Sequence, residues 1–482
     1  MWNKKVNSSK IIFLIIIFII KFSRIAGLLP DRAGHVAVII DDQIVFMGGS
    51  RFIPPTNSNR SQIRLYNLSD EVFSLSLSSQ FSTSKPPYLD LSDTSARMKF
   101  GSEKGTAVLG GPGGANIYLI GGVQQNLTRL NEIDKNPNIT SNQTLMIEEI
   151  NKTYNMTDQS IFLYQPYGNS WLNLLNQKGT LPTRRRSTST VINQKGIIYI
   201  FGGRSQVDTG SPIFICYNDL YTFDTVLLSW NQINAVDAPS PRSHAAPVLL
   251  PNGKILYIGG VSQTQPGADA DLINMNEIPV FDTNSSTWSY KYANQSTLVQ
   301  PRIAHTATLM PNSNEIIIIG GNSNYNLHLT TVNPIFLSLN IAKEPYEYSE
   351  LITSGDKPPP LAVHTANLYQ NYLIIAFGNI TNYATESAEI NSRIYLLDIQ
   401  CKAWVTTFAP NKSICSNVPS PSRGSGINVS MIAGIIVGSI VAVAVIVAAT
   451  MYLITIRRCC IQRITDQGLL TEPKPESFEV PS

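Results

Sequence analysis

Charged residues are scarce in this 482-residue chain, at 14% of the total. Coiled coils draw heavily on charged helix formers, so that shortage excludes them. Disorder is excluded too, because 43% of the residues are hydrophobic and a chain unable to bury a core carries far fewer. Histidine, cysteine and tryptophan are rare, with five of each. A basic excess is also missing where it would matter. The formal net charge is +3, but residues 1–27 hold five basic and no acidic side chains and the tail from Arg457 holds four of each, which leaves −2 on residues 28–456. That distribution offers nothing to nucleic acid.

Long apolar runs number two. Residues 11–20 (IIFLIIIFII) lie between Lys4, Lys5, Lys10 and Lys21, Arg24. Ten residues are too short to span a bilayer and suit a signal peptide over residues 1–27, with an uncleaved signal anchor as the alternative. Met431 to Ile456 is uncharged throughout and followed by Arg457 and Arg458. This predicts a transmembrane helix over 431–456 with residues 457–482 in the cytosol. The expected topology is single-pass type I, in the plasma membrane or a secretory or endosomal membrane, with residues 28–408 extracellular or lumenal on a Pro/Ser/Gly-rich stalk, 409–430.

Between the two runs the chain repeats. An apolar stretch ends in a glycine pair five times: at Gly48-Gly49, Gly121-Gly122, Gly202-Gly203, Gly259-Gly260 and Gly320-Gly321. A sixth, LIIAFGN (373–379), keeps Gly378 and reads as having Asn379 in place of the last glycine. A second apolar stretch lies upstream of each, across a turn such as Asp41-Asp42 or Pro251-Asn252-Gly253, which is the pattern of a hairpin. Downstream come a variable loop, a strand such as NDLYTFD (218–224), and a fourth strand beginning at Trp171, Trp230, Trp288 or Trp404. Phe73 stands near that place in the first repeat, and Tyr346 or Tyr348 in the fifth.

Hairpin, glycine pair, aromatic strand and Trp together resemble the kelch repeat, within the superfamily that includes the central domain of galactose oxidase. The resemblance implies an all-β fold: a six-bladed kelch-type β-propeller, followed here by one transmembrane helix. A four-stranded blade is apolar on both faces and gains stability only by stacking on its neighbours. Each blade is expected to be contiguous in sequence, with the ring closed by packing of the first blade on the sixth.

Galactose oxidase holds copper with two His and two Tyr, one Tyr cross-linked to Cys. That pattern does not carry over to this sequence. His35, His244, His305 and His364 recur 13 to 15 residues before a glycine turn, often after Arg32, Arg242 or Arg302, and read as a structural repeat position; only His328 falls outside it. No catalytic, metal or cofactor-binding residue is expected. The leading function is a non-catalytic scaffold that engages a protein or glycan through the variable loops, 50–61, 123–159, 204–217, 261–275, 322–332 and 379–391. The alternative is a membrane-tethered, copper-dependent carbohydrate oxidase resembling galactose oxidase.

Three cysteines precede the membrane run. Cys401 and Cys415 are the expected disulfide, leaving Cys216 a buried free thiol, although pairing through Cys216 stays open in the sequence. Sequons occur at Asn59, Asn67, Asn126, Asn138, Asn142, Asn151, Asn155, Asn284, Asn294, Asn379, Asn411 and Asn428, the last too near the membrane for use. Five fall in the insertion 123–159, read as a sugar-coated loop. Arg184-Arg185-Arg186 reads as a solvated turn. Gly434-x-x-x-Gly438 would permit a homodimer through the membrane helix. Cys459 and Cys460 are candidate palmitoylation sites.

Overall fold

The computed structural model describes residues 31–412, except 53–65, 93–95, 157–160, 173, 175–176, 206–214, 264, 266–267, 296–297, 325–328 and 382–388. The signal segment, the membrane run 431–456, His328, Cys415, Asn59, Asn428, Cys459 and Cys460 therefore lie outside the described residues. Among the described residues no helix is long and apolar enough to cross a membrane.

The fold is all-β and propeller-like, built from six four-stranded antiparallel units, each contiguous in sequence. Unit 1 comprises Val36–Ile40, Gln43–Met47, Val72–Ser76 and Tyr88–Asp90. Unit 2 comprises Thr106–Gly110, Asn116–Ile120, Ile161–Gln165 and Ser170–Leu172. Units 3 to 6 start at Ser189, Ala246, Thr306 and Thr365 and repeat the same meander. Units 4 and 5 fuse into one eight-stranded sheet, because the long outer strand Thr287–Gln295 pairs in parallel with Tyr346–Glu350.

Why these residues form strands follows from burial. The second strand of each unit, such as Ile197–Phe201 or Glu315–Ile319, is buried on both faces beyond its first residue and so reads as an unbroken apolar run. Innermost strands are less buried: Val36–Ile40 and Ala246–Leu249 alternate buried with half-buried residues, and Thr306–Leu309 and Thr365–Tyr369 are half-buried throughout. Six core clusters fill the gaps between successive units, and one of them joins Phe46, Phe73 and Leu75 of unit 1 to Tyr372, Ile374 and Leu396 of unit 6. The ring is closed.

Among the described residues, no strand is exchanged within a four-stranded unit to make that closure. A two-residue ladder, Thr407–Phe408 with Phe81–Ser82, links the exit from unit 6 to the segment between the third and fourth strands of unit 1. The junction is aromatic: Phe377 lies 5.4 Å from Phe46 and 5.2 Å from His35, ring to ring, while the Arg32 guanidinium lies 4.3 Å from the Phe73 centroid. Each aromatic pair contributes about 0.5–1.5 kcal/mol beyond its burial.

The tryptophans cap the gaps. Trp171, Trp230, Trp288 and Trp404 lie on fourth strands opposite Tyr164, Phe223, Phe281 and Leu397. Three indole N–H groups reach the preceding unit's exit segment: Trp171 donates to Ala96 O, Trp230 to Gln177 Oε1 and Trp404 to Thr353 Oγ1. In unit 5 Tyr348 holds this position, opposite Leu339, and its hydroxyl donates to Met275 O in unit 4. Phe73 does not fill the role in unit 1. It lies on the third strand, opposite Asp90, because the chain between it and the fourth strand is longer than a hairpin turn.

Two further expectations are corrected. In the sixth turn Gly378 corresponds to the second glycine, not the first, and Asn379 already begins the next strand. Phe377 takes the first-glycine position with φ +56, where the other units have φ between +61 and +68. The insertion after Gly122 is not simply a loop. Leu127–Asp134, Pro137–Thr140 and Gln143–Asn151 are helices, between the paired strands Val123–Gln125 and Tyr154–Met156, with a core of their own around Leu130, Ile133, Met146 and Ile150. Asn126, Asn136 and Asn142 cap their N-termini.

Candidate binding site at the ring axis

Each inner strand is preceded by one residue with left-handed backbone: Gly34, Lys104, Ser187, His244, Ala304 and Val363, φ +54 to +67. Their peptide groups run head to tail around the axis. Gly34 N–H donates to Val363 O, Lys104 to Gly34 O, Ser187 to Lys104 O, His244 to Ser187 O, and Val363 to Ala304 O, at 2.8–3.0 Å. A second belt lies outside the first. The N–H of Gly49, Gly122, Gly203, Gly260, Gly321 and Gly378 donates to the carbonyl of Ser102, Arg185, Arg242, Arg302, Leu361 and Arg32 in the next unit, at 2.7–3.0 Å. These belts explain the glycine pairs. A Cβ on Gly320 would lie 2.0 Å from Leu361 O.

The belts frame an axial cavity of about 320 Å³, lined by the starts of all six inner strands. It therefore lies at the glycine-turn end, from which the variable loops and the helical insertion emerge. Its wall is mixed: Lys104, Ser187, Thr188 and His244 line it from units 2, 3 and 4, and His35, His305, Thr306, His364 and Thr365 from units 1, 5 and 6, with small residues such as Gly105, Ala107 and Ala366 between them.

The repeat histidines are resolved into two kinds. His35, His305 and His364 follow the left-handed residue, while His244 occupies that position itself. His35 Nε2 shares a hydrogen bond with the Thr365 hydroxyl at 2.9 Å, and His364 Nε2 with the Thr306 hydroxyl at 3.0 Å, each in the preceding unit. The matching position in unit 4 is Ala246, so His305 meets no hydroxyl; neither ring nitrogen has a well-aligned partner, although the Ile258 carbonyl acts on the ring. Burial pushes His305 down to about 3 and His364 to about 4, and His35 is well below the ordinary value for the same reason. His244 Nδ1 lies 3.0 Å from Ser243 Oγ, and burial together with Arg204, Arg186 and Lys104 keeps it neutral. Among the described residues no group of three His, Cys, Asp or Glu is placed to hold a metal ion.

The arginine triplet is not a solvated turn. Arg184 is exposed, but Arg185 and Arg186 are buried. Arg185 belongs to the register of Arg32, Arg242 and Arg302. It donates to Gly202 O, the first glycine of its own turn, as Arg32 does to Gly48 O and Arg302 to Gly320 O. Its charge is met by Asp219, and its guanidinium lies 4.0 Å from the Tyr217 centroid. The signal was in the sequence: Arg185 precedes its glycine pair by the same distance as Arg242 does.

Cys401 is disulfide-bonded, and Cys216 is a free, buried thiol pushed up by burial. Its sulfur lies 3.8 Å from Ser243 Oγ. Asn126, Asn138, Asn142, Asn151, Asn284, Asn294 and Asn411 are exposed, and Asn67 and Asn379 are half-buried. Asn155 lies on the strand paired with Val123–Gln125.

Comparison with known proteins agrees with this geometry. Human Kelch domain-containing protein 1 is 28% identical over 158 residues, which is 32% of this chain and 34% of that protein. Leucine-zipper-like transcriptional regulator 1 from Pongo abelii is 25% identical over 243 residues, 50% of this chain and 26% of that protein. The chain thus spans about a third or less of these relatives' own length. The solved structure of YjhT superimposes with a TM-score of 0.50 at 14% identity, covering 79% of this chain and 99% of YjhT, a likeness of fold alone. The Attractin/LZTR1 beta-propeller model matches residues 149–433. With more than half of its length matched, the chain belongs to the Attractin/LZTR1 beta-propeller family.

Proposed function

We propose that the chain is a non-catalytic, membrane-anchored scaffold whose six-bladed propeller, one blade per four-stranded unit, engages a protein or glycan outside the cytosol. The observation that carries this reading is the gathering of all six glycine turns, the axial cavity and the helical insertion on one end of a closed ring. Loops on a rigid frame are where recognition residues concentrate. The kelch-domain relatives support the same reading. Anchoring rests on the apolar run 431–456, and N-glycans are proposed on the exposed asparagines, four of them on the helical insertion.

The test uses the full-length chain in detergent micelles against immobilised glycans and extracellular protein domains. Saturable binding to one class is the expected result. Failure to bind either class, or stoichiometric copper with sugar-dependent peroxide release, would overturn the scaffold reading. Glycosidase shifts combined with protease protection report the topology, and a propeller without N-glycans or a tail beyond Arg457 shielded from protease on the cytosolic side would refute it.

A further inference from the structure

We propose that the outer strand of unit 4 carries its own carbohydrate platform: an N-glycan on Asn294 folds back so that its first N-acetylglucosamine lies on the exposed ring of Tyr292. The inference rests on the extracellular or lumenal placement proposed above and gives one of its sequons a bound geometry.

Strand Thr287–Gln295 has two distinct faces. Lys291 pairs with Glu344 of unit 5 and its Nζ lies 5.9 Å from the Tyr346 centroid, while Ala293 is buried in the core between units 4 and 5. Tyr290, Tyr292 and Asn294 share the opposite face. Tyr292 is 61% exposed, and Asn294 is exposed. Tyr292 is paired with Glu277 and Asn294 with Glu347, which keeps both positions in extended register. Residues two apart on one face of a strand stand about 7 Å apart, a distance that a sugar linked to Asn294 covers by lying along the strand. The phenol ring has an electron-rich face, and the C–H groups of a pyranose ring rest on such a face.

Twelve sequons occur in the chain, and an aromatic residue stands two positions earlier in two of them: Tyr292 before Asn294 and Phe377 before Asn379. Phe377 is fully buried at the ring closure. Among the described residues, Asn294 is therefore the sequon that meets an exposed aromatic face in strand register. The apolar strip continues through Tyr290, 37% exposed, toward Val236, 82% exposed, whose neighbour Asp237 acts on Tyr290. Attachment follows the usual secretory chemistry. Asn294 Nδ2 bonds the anomeric carbon of a lipid-diphosphate-linked oligosaccharide, the carbon–oxygen bond to the diphosphate breaks with its electron pair, and Nδ2 loses one proton.

The test uses the full-length chain made in cells with a secretory pathway. The native protein is treated with an amidase that cuts the Asn–sugar bond, and release is followed site by site by mass spectrometry, with Asn284 and Asn411 as internal references. Release at Asn294 should be slower than at the references. Tyr292→Ala should speed it about three- to tenfold relative to them, and Tyr292→Phe should leave it slow. If Tyr292→Ala does not fold, as its melting curve would show, Tyr292→Leu, which keeps bulk without an aromatic face, should speed release in the same way. An empty Asn294 beside occupied references, or an unchanged relative rate in the folded Ala or Leu variant, would overturn this inference and leave the scaffold reading standing. Sugar at no sequon would overturn the extracellular or lumenal placement, and this inference with it.

Discussion

The backbone N–H of Gly378 donates to the carbonyl of Arg32 across 2.9 Å. The last unit is thereby tied to the first by the same bond that ties every other neighbouring pair. Closure needs no shared strand because the repeat geometry supplies the bond, and Phe377, Phe46, Phe73 and His35 fill the space behind it.

The glycine turns leave no room for a side chain. Gly320→Ala would place Cβ 2.0 Å from Leu361 O in a backbone conformation of φ +62. Left-handed strain and displacement of the next unit together should cost about 2–4 kcal/mol, read as a lower urea midpoint. Gly114→Ala is the control: φ is +64, but nothing lies within 4 Å, so the loss should stay near the conformational cost of about 1 kcal/mol.

Ala246→Thr should stabilise the fold. It would offer His305 the hydroxyl that Thr306 gives His364 and Thr365 gives His35. A net gain of about 0.5–1.5 kcal/mol is expected from one added hydrogen bond, measured by denaturant melts beside Ala246→Val as the shape control. No gain over the valine variant would count against the pairing rule.

Arg185 and Arg184 should behave oppositely despite being adjacent. Arg185→Ala strands Asp219 and the Gly202 carbonyl and should cost about 3–5 kcal/mol. Arg184→Ala, at an exposed site, should stay within about 0.5 kcal/mol. Thermal melts of the two variants distinguish them.

Acid should destabilise the protein through its buried histidines. His305 and His364 are neutral when folded, at about 3 and 4, so below about pH 6.5 only the unfolded chain takes up their protons. Stability is fully present above that value and is lost as pH falls toward the folded values. At pH 5 each contributes a loss of about 2 kcal/mol, visible as a urea midpoint that drops from pH 7.5 to pH 5 and drops less in His364→Gln.

Much of this was legible in the sequence. The glycine pairs, the hairpins and the Trp positions are local patterns that repeat, so the strand order could be read directly. What could not be read were contacts made across units. Phe377 replaces a glycine in a left-handed turn, which no local rule anticipates, and the triplet 184–186 hides one register arginine behind a charged neighbour. The helical insertion was missed because its sequons and polar composition suggested a loop, although Asn126 and Asn142 are N-caps followed by apolar residues at helical spacing. The equivalence of Lys104, Ser187 and His244 was also invisible, since it shows only in their backbone angles.

Native-state hydrogen exchange of the full-length chain tests the closed ring most directly. The amides of Gly49, Gly122, Gly203, Gly260, Gly321 and Gly378 all donate across a unit boundary. The account predicts that Gly378 is protected to within about tenfold of Gly203, as expected when both open only with the whole fold. Exchange of Gly378 and Gly34 near the unprotected rate, with Gly203 still protected, would show a ring open between its last and first units and would contradict it.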